Sequence, residues 1–507
     1  MIKEECGVAG VVLKKPIEDY PVGGALYYLH LMMSELQHRG QETAGFITFN
    51  PGKKKTLDGL KSLGRVSNLF CTDNIDENIR ILEEFTGTSA TGHVRYSTSG
   101  NPKTEREYQD EAQPFYHRDG NPNIRFVYGW NGNLANHEKI EQVLKEEYSI
   151  EPETNVDTEL LMYLIANNIR QQYNKNRKIN YYETFKEIQG KIDGGLSLIL
   201  MNGLGHLIGY RGIPGIMPLC YGENDDLFAV ASETCALSII GIRNYKFFKS
   251  GELIVHKNNS AENNLISENP KFNACFFQWV YFAKVTSILD NLGVNELREK
   301  LGKKLAELEP LKDKLNNDYV IVPVPDTSIP AAKSMAKELE IPYEEVLIKN
   351  PQAGRTFIVK ENVRNSLMER KFGFIPGKVE GKKIILVEDS IVRGNTGRKI
   401  ISFVREALKP EEIHFRSTCP PIRSPCYYGV DFPTLTELIA HDYIDNNILE
   451  KDLAEIFSAT TVKYMTLEGL IEVFAGLNFP SKNLCLACLT GDYPTDAGNK
   501  RLAELLS

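Results

Sequence analysis

Three short stretches carry side chains that could do covalent, phosphate or metal chemistry. The first, "EECGVAG" at residues 4–10, sets a cysteine almost at the start of the chain, ahead of a small apolar run. Cys6 is either a packed thiol at the head of a strand or a nucleophile that becomes the N-terminal residue once Met1–Glu5 is removed. A thiol of pKa about 8.5 needs a base, and a free α-amino group of pKa about 7.7–8.0 on the same residue can serve, whereas a peptide nitrogen cannot. The second stretch is "ILVEDSIVRGNTG" at 385–397. Its apolar run delivers Glu388 and Asp389 to a strand end, where adjacent carboxylates reach sugar hydroxyls or a hydrated Mg²⁺. Gly394, Asn395, Thr396 and Gly397 then open a helix, whose free N–H groups favour a phosphate. The third is Cys485-Leu486-Ala487-Cys488, a spacing used for metal, cluster or redox chemistry and equally compatible with two packed thiols.

The elements around these residues have two textures. From Cys6 to about 255, "GVAGVV", "GFITF", "RFVYGW", "LSLILMNG", "LIGYRG" and "LFAVAS" read as strands, while "LYYLHLMMSELQHRG" and "DTELLMYLIANNIRQQ" carry helical periodicity. Strand runs with a few helices predict a layered sandwich. The Asn-rich stretch 256–271 reads as the boundary between domains. Beyond it "DYVIVPVP" leads through Asp326-Thr327-Ser328 into a helix, and "KKIILV" leads through the acidic Gly-rich loop into another. Two buried strands, each followed by a loop and a helix, predict a mainly parallel sheet with ligands at its carboxyl ends.

With 507 residues the chain divides into more than one domain. Its 42% hydrophobic and 25% charged residues are those of a globular enzyme, and a net charge of −8 argues against nucleic acid as a main partner. No apolar run is long enough for a membrane helix, and the acidic opening is unlike a secretion signal, so a cytoplasmic protein is expected. Nine scattered cysteines do not form a disulfide framework.

The 385–397 stretch resembles the phosphoribosyl diphosphate (PRPP) signature of type I phosphoribosyltransferases, with "VPVPDTSIPAA" and "KNPQAGRTFI" upstream in the matching order. Together with "LQHRGQETAGF", "TGHVRYSTSG", "NGNLAN", "ASETCA", "PPIRSPCYYGVDFPTLTELIA" and "CLACLTGDYPT", the chain from Cys6 almost to its end resembles the glutamine PRPP amidotransferase family. The resemblance implies a propeptide at 1–5 and a class II glutamine amidotransferase domain at 6–255, an αββα sandwich of the N-terminal-nucleophile type. A linker at 256–271 and a parallel α/β phosphoribosyltransferase domain with a cluster-binding segment at 272–507 would follow. It implies conversion of glutamine, PRPP and water to 5-phosphoribosylamine, glutamate and diphosphate, the first step of purine synthesis, with ammonia passed internally between the sites.

Residue by residue, the resemblance makes Cys6 the nucleophile and Asn131 and Gly132 the oxyanion donors. Arg95 would hold the glutamine carboxylate and Asp157 its ammonium. PRPP would meet Asp326, Thr327, Lys349, Arg355, Glu388, Asp389, Ser390, Arg393, Gly394, Asn395, Thr396 and Gly397, with Mg²⁺ on Thr327, Glu388 and Asp389. Cys275, Cys426, Cys485 and Cys488 would carry a 4Fe–4S cluster, although four thiolates on chemical grounds suit Zn²⁺ equally. Cys71, Cys220, Cys235 and Cys419 are expected as packed thiols. Residues 349–375 are expected to form a lid over PRPP, purine nucleotides to inhibit, and the protein to form a dimer or tetramer.

Some positions depart from the family pattern: Glu388 for a usual aspartate, Pro351-Gln352-Ala353 in the lid, "YFAKVTS" at the domain junction and Met217 for a common arginine. These bear on lid closure and coupling between the domains, and so on slower or differently regulated turnover. A non-catalytic PRPP sensor that keeps the fold is the alternative, and Cys6, Arg95 and Asp157 together weigh against it. A hexosamine-forming class II amidotransferase fits less well, since it has no use for the PRPP loop and the four cysteines.

Overall fold

The computed structural model describes residues 6–96, 111–154, 156–350, 372–432 and 434–507. The first half is two stacked antiparallel sheets between two helical layers. Its strands are β1 (Gly7–Leu13), β2 (Thr43–Phe49), β3 (Leu57–Leu63), β4 (Ser89–Arg95), β5 (Phe115–His117), β6 (Phe126–Leu134), β7 (Gly194–Asn202), β8 (Leu207–Arg211), β9 (Cys220–Glu223), β10 (Leu227–Ala231), β11 (Tyr245–Phe247), β12 (Glu252–Lys257) and β13 (Ser260–Leu265). One sheet runs β11-β9-β10-β1-β4-β2-β3, the other β13-β12-β8-β7-β6-β5.

Alternation of side chains along the strands sorts the core into three layers. Val8, Val12, Val127, Ile199 and Phe228 fill the space between the sheets. Ala9, Val11 and Ala90 on the outer face of the first sheet meet Leu26, Leu29 and Met33 of the Ala25–Glu35 helix. Tyr128, Leu198 and Tyr210 of the second sheet meet Leu160, Leu164 and Phe185 of the helices Asp157–Asn176 and Tyr181–Gln189. Because both faces of the inner strands are covered, β1, β4 and β7 are buried along their whole length.

The expected linker at 256–271 is corrected by the structure. Its first ten residues complete a hairpin in which β12 and β13 pair from Glu252↔Leu265 to Lys257↔Ser260. Asn258 and Asn259 both take positive φ (49° and 58°), the two-residue turn that matches strand twist. The Asn-rich composition is turn chemistry followed by an exposed edge strand, so the first domain extends through Leu265.

The second half carries four parallel strands, Tyr319–Pro323, Lys383–Glu388, Glu412–Ser417 and Thr461–Tyr464, in that order. A parallel bridge between Ile321 and Tyr343 lies on the other side of the first strand. The chain therefore steps one way from Tyr319–Pro323 and then returns to the opposite side as Lys383–Glu388. That reversal opens a crevice at the carboxyl ends of these two strands. Tyr319 and Ile321 pack under the helices Val294–Glu307 and Ile329–Leu339; Val320 and Val322 pack under Asn395–Leu408 and Asn446–Phe457.

Candidate functional site

Antiparallel pairing of β1 with β4, Gly7 opposite Val94, brings Cys6 and Arg95 to the same sheet end. Cys6 is buried, and its Sγ lies 3.3 Å from the Tyr96 carbonyl. Arg95 is buried and donates from Nη2 to Glu111 Oε2 at 2.8 Å. Across the sandwich, Gly129 of β6 faces His93 and Val8. Asn131 lies two residues on and so points the same way, toward the face that Cys6 shares with Val8. Asn131 is 1% exposed and its Nδ2 has no hydrogen-bond partner among the described residues. Gly132 has φ +141° and passes so close to β7 that a Cβ there would lie 1.9 Å from the Gly195 carbonyl. Asp157 opens the Asp157–Asn176 helix and accepts from the Leu134 N–H at 3.4 Å, which ties that helix to the end of β6. Cys6, Arg95, Asn131, Gly132 and Asp157 thus gather at one end of the sandwich. Met1–Glu5 lies outside the described residues.

Sequence reasoning missed two supports of this site. Glu233, at the start of the Thr234–Ile239 helix, is fully buried and accepts from Arg39 Nε, from His38 Nε2 (2.7 Å), from Ser287 Oγ (2.6 Å) and from the Lys284 N–H (2.9 Å). Burial alone would raise its pKa; Arg39 and His38 outweigh that and hold the carboxyl well below its usual range. Arg39 also donates to Gln278 Oε1 at 2.9 Å, and Gly40 beside it lies against the Arg95 backbone. The departure at Lys284 has a local role, since its Nζ meets Glu35 at 2.5 Å across the junction. The second support is the turn Tyr427-Tyr428-Gly429. Asn133 Nδ2 donates to the Tyr427 carbonyl at 3.3 Å, and a Cβ on Gly429 would lie 3.2 Å from Gly132. The motifs "ASETCA" and "PCYYG" are the available signals, but they do not show what their residues touch.

In the second domain the crevice at the two strand ends holds most of the residues expected for PRPP. Asp389 is buried and accepts from Ser390 Oγ at 2.6 Å. Glu388 ends its strand beside it, and Asp326 and Thr327 follow the end of the neighbouring strand. Lys349 reaches Asp326 at 2.9 Å. Gly394 has φ +72° and caps the Asn395–Leu408 helix, so Asn395, Thr396 and Gly397 form its first turn, where backbone N–H groups lack intrahelical partners. Arg393 turns its guanidinium toward Glu437 (3.3 Å) and Asp431 (3.5 Å), so its charge is already balanced by acids. Arg355 and most of the expected lid, 351–371, lie outside the described residues; the ends of that segment are the paired strands Leu347–Lys349 and Phe372–Phe374.

Cys275, Cys426, Cys485 and Cys488 line one small apolar cavity together with Met217 and Tyr428. Burial pushes Cys485 up to about 12 and Cys488 well above its ordinary value, with neighbouring sulfurs adding to the rise. Four thiols around one dry cavity are a soft-metal donor set. The cavity is only about 10 Å³, and among the described residues no group of three or more His, Cys, Asp or Glu side chains is drawn close enough to hold a metal ion. The donor chemistry suits a cluster, and the cavity the four sulfurs line is smaller than one. Met217, which departs from the family pattern, is one wall of this cavity. Cys220, Cys235 and Cys419 are buried, as expected of packed thiols, whereas Cys71 is half-buried. A cleft of about 480 Å³ beside Lys55, Tyr116 and Arg118 is lined by none of the expected residues.

An N-terminal αββα sandwich with a cysteine at the head of its central strand, joined to a parallel sheet with an acidic phosphate loop, defines a two-domain glutamine-dependent phosphoribosyl amidotransferase. The glutamine amidotransferase domain family matches residues 103–238 and the phosphoribosyl transferase domain family residues 288–431. The chain is 34% identical to the amidophosphoribosyltransferase of Methanothermobacter thermautotrophicus, over 97% of this chain and 95% of that one. It is 33% identical to that of Methanocaldococcus jannaschii, over 98% and 99%. Among solved structures it matches the glutamine PRPP amidotransferase from B. subtilis complexed with ADP and GMP, with TM-score 0.80, 31% identity and coverage of 97% of this chain and 98% of that chain. The chain belongs to the amidophosphoribosyltransferase family.

Proposed function

We propose that this protein converts glutamine, PRPP and water to 5-phosphoribosylamine, glutamate and diphosphate, the first step of purine biosynthesis. The observation that carries this reading is the convergence of Cys6 at the head of β1 with Asn131 across the sandwich, whose buried Nδ2 has no partner among the described residues. Cys6 Sγ attacks the glutamine amide carbon, the developing oxyanion is met by Asn131 Nδ2 and the Gly132 N–H, and ammonia leaves. Water then cleaves the thioester to glutamate. Arg95 and Asp157 hold the two charged ends of the substrate amino acid. The ammonia nitrogen bonds to C1 of PRPP as the C1–diphosphate bond breaks. Glu388, Asp389 and the first turn of the Asn395–Leu408 helix hold the ribose and its phosphate.

The finer parts of the reading are proposals of the same kind. Removal of Met1–Glu5 would give Cys6 the free amine it needs as a base. Thr327, Glu388 and Asp389 would hold Mg²⁺, which draws charge onto the departing diphosphate. The shared cavity of Cys275, Cys426, Cys485 and Cys488 supports a 4Fe–4S cluster with a structural role. Purine nucleotides are proposed as inhibitors because a structural neighbour is described as bound to ADP and GMP and another as allosteric. A homo-oligomer in the cytoplasm completes the proposal; among the described residues no helix is long and apolar enough to cross a membrane.

The test is anaerobic purification followed by assay of glutamate and diphosphate release, with glutamine or ammonia as nitrogen source. Both products with glutamine, and diphosphate alone with ammonia, support the reading. PRPP binding without turnover would replace it with the sensor. Iron, sulfide and intact-mass measurements on the same sample decide the cluster and the processing.

A further inference from the structure

Strand β6 loses its outer neighbour before it reaches the glutamine site. Pairing with β5 runs from His117↔Phe126 to Phe115↔Tyr128 and stops there. The N–H and carbonyl of Trp130, next in line on that edge, would be buried polar groups with no ladder to join. Side chains take them instead. The Trp130 N–H donates to Gln113 Oε1 at 2.8 Å, and its carbonyl accepts from His93 Nε2 at 3.0 Å. On the opposite face the indole Nε1–H donates to Thr158 Oγ1 at 3.0 Å. The Thr158 carbonyl in turn accepts from the Tyr128 hydroxyl.

Each of these three partners sits beside a residue proposed to handle glutamine. His93 is two residues before Arg95 on β4, on the other sheet. Thr158 follows Asp157 in the first turn of its helix. Gln113 is two residues after Glu111, the carboxylate that Arg95 meets. Trp130 itself precedes Asn131. All four of Trp130, Gln113, His93 and Thr158 are at most 4% exposed, so water cannot replace a lost bond. His93 Nδ1 has no partner among the described residues, and Nε2 is the protonated nitrogen that donates to the Trp130 carbonyl.

We propose that Trp130 is a positioning residue for the glutamine half-reaction, fixing the oxyanion donor Asn131 relative to Arg95 and Asp157 through its bonds to His93, Gln113 and Thr158. This rests on the amidotransferase reading above. Backbone bonds on one edge and an indole bond on the outer face hold β6 against sliding or twisting, and Asn131 projects from the inner face. Because the donor acts on the transition state, its misplacement lowers kcat more than it raises KM.

The experiment compares W130F, T158V and the W130F/T158V double variant in the full chain. Glutamine-dependent turnover, ammonia-dependent turnover and thermal midpoint are measured for each. W130F keeps an aromatic ring and removes the indole donor, whereas T158V removes its acceptor and leaves the indole. The expected result is a fall of about 10- to 100-fold in glutamine-dependent kcat for either single variant, with KM for glutamine nearly constant. The double variant is expected to fall no further, and ammonia-dependent turnover is expected to hold. Unchanged kcat in T158V, or a rise in KM alone, overturns the proposal. If W130F also loses ammonia-dependent turnover or its thermal midpoint, the outcome for T158V decides. Absence of both turnovers in the wild-type protein instead overturns the reading on which the proposal rests.

Discussion

Arg95 Nη2 donates to Glu111 Oε2 at 2.8 Å, and both side chains are nearly buried. The donor proposed to take the glutamine α-carboxylate is thus engaged by a carboxylate of the chain itself. A charge-assisted bond of this kind contributes about 1.5–3 kcal/mol. Substrate must share or displace it. Glu111→Gln keeps the shape and removes the charge, and KM for glutamine is expected to fall about tenfold with kcat unchanged. Steady-state glutamate release is the measurement; a higher KM would make Glu111 the residue that orients Arg95.

Asn131→Ala removes a buried donor that has no partner among the described residues. Glutamine-dependent kcat is expected to drop by about 10²–10³, the usual effect of losing one oxyanion contact. Diphosphate release driven by ammonia is the internal control and is expected to stay at the wild-type level, because that chemistry occurs at the other site.

His93 gives the stability a defined pH response. Burial brings its pKa down to about 3 in the folded chain, against about 6.5 when unfolded. Below pH 6.5 the unfolded chain therefore binds a proton that the folded chain refuses. Stability present at neutral pH is lost as pH falls from about 6.5 toward 3, by at most about 1.4 kcal/mol per pH unit from this group. His93→Gln keeps a donor for Trp130 without a titrating ring, so its stability–pH curve is expected to be flatter across that window. Unfolding in urea at a series of pH values checks the slope, and parallel curves would count against this assignment.

Gly429 belongs to the second domain yet its substitution is expected to injure the first. Its φ is +128°, and an added Cβ would come within 3.0 Å of Met217 and 3.2 Å of Gly132. Gly429→Ala is expected to lower glutamine-dependent turnover about tenfold through displacement of the oxyanion strand, with ammonia-dependent turnover retained. Loss confined to the ammonia-dependent reaction would refute that route.

Much of the molecule is legible from local pattern. β1, β6 and the 385–397 loop each announce themselves by an apolar run flanked by a residue that strands do not need: Cys6 before the first, Asn131 and Glu388 at the ends of the others. The Asn258-Asn259 turn reads wrongly as part of a linker because asparagines suit linkers and tight turns alike, and β13 has no apolar face to reveal a strand. Glu233 and Trp130 are invisible for another reason: their meaning lies in partners such as Ser287 and His93, which composition and periodicity do not connect. The same holds for Asn133 and Tyr427, which meet although 294 positions apart.

That last contact limits how this gene could be divided. A break after Leu265 would separate two segments that look self-sufficient in sequence. Yet the first fragment would retain Cys6, Arg95 and Asn131 while Gly132 and Asn133 lost the Tyr427–Gly429 turn behind them, and Glu233 lost Lys284 and Ser287. Stand-alone expression, domain grafting and circular rearrangement should therefore all be planned with both fragments supplied together, as a complementing pair.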